Sequence, residues 1–255
     1  MSALEHVYFK LPYELRRTLA KTAFPSKYSA LQNLRVRFPD ADDSASLRPF
    51  IEHSCIFIHI PKTAGISVNA GLFGCNTGYH RTIAGYQTIF SKREFSNYFK
   101  FAFVRNPWDR VASAYFFLKQ GGLHGDDARW AARNIACYST FGDFVRGWVN
   151  AKNIRSGRHF RPQADYLCLP GKTTSELDFT GYYENLNADY DHVRRVLGTG
   201  AALPAANVTK SKHKDFRSYY TDETRAIVAR VYRHDVELLG YTFDNSSLGQ
   251  QLANR

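Results

Sequence analysis

With 255 residues, 44% of them hydrophobic, the chain is long enough to bury a core of its own, and an α/β chain of this size is expected to do so in one domain. Lys and Arg total 34 against 23 Asp and Glu, a net charge of +11 that attracts anions generally without choosing among nucleic acid, sulfated polysaccharide and a polyanionic nucleotide. The basic residues are dispersed rather than run together with interleaved aromatics, which argues against nucleic acid, and no apolar stretch reaches the ~20 residues of a membrane span.

The first 50 residues read as an appendage: a helix over Tyr13–Ala23, then the polar connection Phe38-Pro39-Asp40-Ala41-Asp42-Asp43-Ser44. The segment Met1–Lys10 lacks an apolar core of signal length, so a cytoplasmic protein is expected. Residues 51–245 carry the motifs, and 246–255 form a tail. Cys55, Cys75, Cys137 and Cys168 form no C-x-x-C pair, so buried thiols are expected rather than a metal or redox site.

Cys55–Ile60 is an apolar run rich in β-branched and aromatic residues, which predicts a buried strand stopped by Pro61. Within it His59 reads as a hydrogen-bonded core histidine. Lys62-Thr63-Ala64-Gly65-Ile66-Ser67 then turns into a helix marked by Ile66, Val68 and Leu72, whose first N–H groups lack intrahelical partners and favour an anion. The Lys precedes the Gly here, so the Walker A order G-x-x-x-x-G-K-[ST] fails. Taken alone, the segment also fits an ordinary strand, turn and helix with Lys62 facing solvent.

A second strand is predicted at Phe101–Val104, with Arg105 at its end, a stop at Asn106-Pro107 and a helix carrying Val111, Tyr115 and Leu118 at i, i+4 and i+7. In an open α/β sheet ligands bind beyond the carboxyl ends of the strands, where both Lys62 and Arg105 fall. Arg105 and Ser113, eight residues apart, are spaced to converge on one phosphate.

These two segments resemble the nucleotide-binding elements of the sulfotransferases, in particular the carbohydrate-type family with a P-K-T-A-G or P-K-T-A-S loop. The resemblance implies an α/β fold, a single P-loop-like domain with a central parallel sheet flanked by helices. It implies that Lys62, Thr63, Ala64, Gly65, Ile66 and Ser67 hold the 5′-phosphosulfate of 3′-phosphoadenosine 5′-phosphosulfate (PAPS), and that Arg105 and Ser113 hold its 3′-phosphate. It continues through Arg161-Pro162-Gln163, Tyr183-Glu184-Asn185-Leu186 and Lys210-Ser211-Lys212-His213, with Ser211 and Lys212 closing on the nucleotide. Tyr182 stands where many relatives carry Arg. A bacterial-style member without a membrane anchor is expected, acting on a carbohydrate hydroxyl.

Between Asp126 and Asn150, Trp130, Ile135, Phe144, Val145 and Trp148 read as core, with sugar stacking as the rival role. Further on, Phe179–Tyr183 reads as a third strand and Asp189–Leu197 as a helix. The last helix runs from an N-cap at Thr221 through Ile227, Val228, Val231, Tyr232, Leu238 and Leu239 to Gly240.

Sulfuryl transfer, like phosphoryl transfer, is mainly positioning plus electrostatics. Lys62 offers the cation for charge growing on the leaving phosphate, and no metal is required. The base must accept a proton near neutrality, which suits a histidine. His80, in Gly78-Tyr79-His80-Arg81-Thr82 between the two nucleotide elements, is the first choice, since relatives place a catalytic His in this interval. Glu184 is second. Arg158, His159, Arg161 and Gln163 either orient an anionic sugar or form an exposed loop. Two rival functions are a P-loop kinase using ATP and a non-catalytic polyanion-binding module.

Overall fold

A computed structural model describes residues 3–39, 45–204 and 215–254. Among them no helix is long and apolar enough to cross a membrane. They divide into two compact units, one drawn from Met1–Ile60, Ala64–Val104 and Ala164–Val208, the other from Pro61–Thr63, Arg105–Gln163 and Thr209–Arg255.

The first unit is built on β1 (Cys55–Ile58), β2 (Phe99–Val104) and β3 (Phe179–Tyr182), all parallel, in the order β1-β2-β3 and flanked by helices. Every residue of β1 and all but the first of β2 are buried, which is why, apart from Lys100, these strands are apolar rather than alternating. Phe57 pairs with Phe101 and Phe101 with Phe179, and the Phe57 and Phe101 rings stack 4.9 Å apart. Gly181 opposes Phe103 because a Cβ there would sit 2.7 Å from that ring. The first strand ends at Ile58, so His59 lies just beyond it rather than within it.

Helices Gly65–Phe73, Ile83–Ile89 and Lys92–Asn97 lie between β1 and β2, the last opened by a reciprocal Ser91/Glu94 cap. Helix Tyr13–Ala23 forms where expected, and the N-terminal segment packs within this unit. The Tyr13 hydroxyl donates to the Phe90 carbonyl at 3.1 Å, Gln32 donates to the Ile89 carbonyl at 3.0 Å, and Arg35 pairs with Glu94. After β3, helix Leu186–Leu197 is tied back by Asp189, whose carboxylate accepts from the Tyr182 N–H at 2.6 Å. Tyr182 is thus a buried tyrosine held through its backbone.

The second unit is helical. Helix Pro107–Lys119 starts at Asn106, whose Oδ1 accepts from the Trp108 N–H at 3.0 Å. Helix Phe141–Trp148 sends Phe144 into a cluster with Tyr115 at 4.8 Å, Phe160 at 5.2 Å and Trp148 at 5.3 Å. Such a fully buried Phe is worth about 1.5–3 kcal/mol, so Ile135, Phe144, Val145 and Trp148 are core, and Trp130 alone of the five stays half-buried.

The predicted last helix is two, Asp222–Val231 and Arg233–Leu239. Thr221 caps the first and Gly240, at φ 70°, ends the second. The break falls at Tyr232, whose hydroxyl donates to the Phe160 carbonyl at 2.6 Å. A tertiary anchor there outweighs the uninterrupted periodicity. Cys55 and Cys168 are buried as expected, whereas Cys137 is exposed.

Candidate functional site

In the second unit Lys62 sits in a left-handed turn, at φ 72°. A non-glycine residue adopts that conformation only where its surroundings impose it. Two contacts do so here. The Lys62 carbonyl accepts from Arg105 Nη1 at 3.1 Å, and its ammonium lies 3.9 Å above the centre of the Phe117 ring. Burial lowers the ammonium pKa to about 8, with the Arg105 charge adding to the shift and Asp127 opposing it. Lys62 is therefore an ammonium held partly out of water next to a second cation, a place where an anion gains more than it would in bulk solvent.

Arg105 is aimed by two partners that lie far apart in sequence. Its Nε and Nη2 donate to the Asp109 carboxylate at 2.7 and 2.8 Å, a bidentate pair one helical turn on. Its backbone is clamped by the fully buried Gln163, whose Oε1 accepts from the Arg105 N–H at 3.0 Å while its Nε2 donates to the Arg105 carbonyl at 2.8 Å. Gln163 thus belongs to the interior, not to an exposed loop. Ser113 lies on the same helix face as Asp109 and is half-buried.

Beside them Arg110 is buried, donating to the carbonyls of His159 at 3.1 Å, Arg161 at 2.6 Å and Pro61 at 3.5 Å. Its charge meets carbonyl dipoles and ties the Lys62 turn to the segment 159–161. The buried Asp127 accepts from His159 Nε2 and Arg158 Nη2, each at 3.0 Å, and from the Leu123 N–H at 3.1 Å. Burial pushes the Asp127 carboxyl up, but these hydrogen bonds and the neighbouring charges outweigh it and hold the group at about 2. Burial lowers the His159 imidazole, against the hydrogen bond and charge of Asp127 and with help from Arg158 and Lys62.

In the first unit Ala64, at φ 67°, precedes helix Gly65–Phe73, and no side chain caps the helix start. Thr63 of the second unit and Ser67 of the first are buried, while Ile66 is 40% exposed. Gly65 is required by His59, since a Cβ at position 65 would lie 2.0 Å from the imidazole. That ring is itself stacked on Phe57 at 5.6 Å and packed against His80 at 4.3 Å, so it has little room to yield. Gly65→Ala should therefore destabilise the protein by about 1–3 kcal/mol, read as a melting-temperature drop of roughly 2–4 °C per kcal/mol. Unchanged melting would show that His59 can swing aside.

His80 Nδ1 lies 2.9 Å from the His59 carbonyl oxygen. A carbonyl only accepts, so Nδ1 carries the proton in this hydrogen bond. Burial, and then the neighbouring His80, push the His59 imidazole well below its ordinary value. Glu184, the second choice for the base, falls in the 3₁₀ turn Tyr183–Asn185 that follows β3. Ser211 and Lys212 lie outside the described residues.

Sequence reasoning missed Asp109, although its i+4 spacing from Arg105 was a usable signal. It left Gln163, Arg110 and the Asp127–His159 pair unassigned. Their partners lie 31 to 58 residues away, beyond the reach of any local pattern.

Carbohydrate sulfotransferase 14 of Homo sapiens is 34% identical over 109 residues, covering 38% of this chain and 28% of the relative. The Danio rerio protein of that name is 32% identical over 116 residues, covering 40% and 30%. An uncharacterised protein of Archaeoglobus fulgidus is 29% identical over 109 residues, covering 42% of this chain and 73% of that one. The matches thus span less than a third of the length of the carbohydrate sulfotransferases. No solved structure matches the chain significantly. The sequence model of the sulfotransferase family matches residues 51–242, taking in both the Lys62 turn and the Arg105 helix start, and the chain belongs to that family.

Proposed function

We propose that this sulfotransferase takes the sulfuryl group from PAPS and delivers it to a hydroxyl of a carbohydrate, leaving adenosine 3′,5′-bisphosphate (PAP). The observation that supports this best is the 3.1 Å hydrogen bond from Arg105 to the Lys62 carbonyl, which joins the two phosphate-binding elements inside the second unit. Inside the second unit the donors suit phosphate: an ammonium at Lys62, a guanidinium at Arg105 and a hydroxyl at Ser113. PAPS supplies the activated sulfuryl group. Lys62 meets the charge growing on the leaving phosphate, the backbone of Thr63 to Ser67 holds the 5′ end, and Arg105 with Ser113 holds the 3′-phosphate. His80 takes the acceptor's proton at Nε2. In this role Ser211 and Lys212 contact the nucleotide, and the reaction needs no metal. The names of the matched relatives favour a carbohydrate acceptor, and a cytoplasmic location belongs to the same reading.

Calorimetry with PAP and adenosine 5′-monophosphate tests it. Wild type should prefer PAP, because a charge-assisted contact to the 3′-phosphate is worth about 1.5–3 kcal/mol. Arg105→Ala should bring PAP affinity toward that of the monophosphate. Wild-type discrimination retained in the variant would remove Arg105 from the 3′-phosphate.

A further inference from the structure

The second unit contains a cavity of about 340 Å³ whose walls include Asp126, Asp127, Trp130, Ser156, Arg158 and His159. We propose that it is the seat of one uncharged sugar ring of the acceptor; the word acceptor rests on the sulfotransferase reading above, the sugar site itself does not. The volume lies at the small end of the ~300–1,000 Å³ range of ligand pockets, enough for one ring. Trp130 offers an apolar wall to the C–H face of a sugar. It lies close over Gly157, where a Cβ would come 2.5 Å from the indole.

The polar walls suit hydroxyls, which both donate and accept. Arg158 donates and the carboxylates of Asp126 and Asp127 accept. His159 lends its Nε2 proton to Asp127, so its Nδ1 is an acceptor, and that atom is buried without a hydrogen-bond partner. The balance of charge selects the class of sugar. Arg158 is already paired with Asp127 at 3.0 Å, and the exposed Asp126 is paired with Arg129. A uronate carboxylate would find its cations already engaged there, whereas a neutral hexose or hexosamine needs none. The cavity is one ring away from the proposed leaving-group cation: Phe117 carries the Lys62 ammonium on its face and has its centroid 5.3 Å from that of the His159 ring.

Saturation-transfer NMR on the full chain tests this with methyl glucoside, methyl N-acetylglucosaminide and methyl glucuronoside, alongside separate PAP titrations. The neutral glycosides should bind, and the glucuronoside should bind about tenfold more weakly or worse. Ser156→Phe, a filling change at an exposed position, should weaken neutral-glycoside binding by about tenfold or more while PAP affinity holds. Asp126→Arg, also on the surface, should narrow the preference over glucuronoside by about fivefold or more. Absence of glycoside binding to wild type, or unchanged binding in both variants, overturns the proposal. Glycoside binding without PAP binding would sink the PAPS reading and leave the sugar site standing; PAP binding without glycoside binding would do the reverse.

Discussion

Lys62→Ala should lower kcat by about 10²–10³, the usual loss when one preorganised electrostatic stabiliser is removed, with a much smaller change in PAP affinity. The difference matters because only an interaction stronger in the transition state than in the ground state accelerates the step. The pH dependence gives a second reading of the same residue. In the free enzyme burial holds the Lys62 ammonium at about 8, so its charge is present below that pH and lost above it. A log plot of kcat/KM should therefore turn down as pH rises through about 8. The limb in kcat should lie higher, since bound nucleotide phosphates favour the ammonium. Lys62→Ala should lose the alkaline limb together with the rate. An enzyme whose kcat survives the substitution, or whose wild-type kcat/KM stays flat across that range, has its leaving-group cation elsewhere.

His80→Ala should cost about 10²–10⁴ in kcat, the range for a positioned general base, while PAP affinity stays near wild type. His80→Asn makes the sharper comparison. Its side-chain amide can still donate to the His59 carbonyl, as Nδ1 does now at 2.9 Å, but it offers no basic nitrogen. If the hydrogen bond alone mattered, Asn would restore activity; if the base matters, Asn should be as slow as Ala. Full activity in either variant would transfer the role to Glu184 and leave the nucleotide assignment untouched.

The strands and the Lys62 turn were legible in the sequence because each is encoded locally. An apolar run such as Cys55–Ile58 records burial on both faces, and Asn106-Pro107 records a helix start, whereas the strand ends at Ile58, before the stop expected at Pro61. The family, too, was visible in motifs a few residues long around Lys62 and Arg105. Where periodicity was followed past a tertiary contact it failed: the run from Thr221 to Gly240 reads as one helix, yet Tyr232 breaks it to reach the Phe160 carbonyl.

The sequence by itself therefore determined the parallel α/β class, the positions of the cationic turn and the strand-end guanidinium, and membership among sulfotransferases. Only the tertiary structure decided how those cations are held. Arg105 is gripped by Asp109 and by Gln163 from 58 residues away. The Lys62 ammonium pKa is lowered by burial and a second charge, and His80 is hydrogen-bonded to a carbonyl 21 residues back. The division has one physical cause. Backbone conformation and hydrophobic burial follow side-chain chemistry over a few neighbouring residues. Desolvation, charge pairing and hydrogen-bond direction depend on atoms that folding alone brings within 3 or 4 Å.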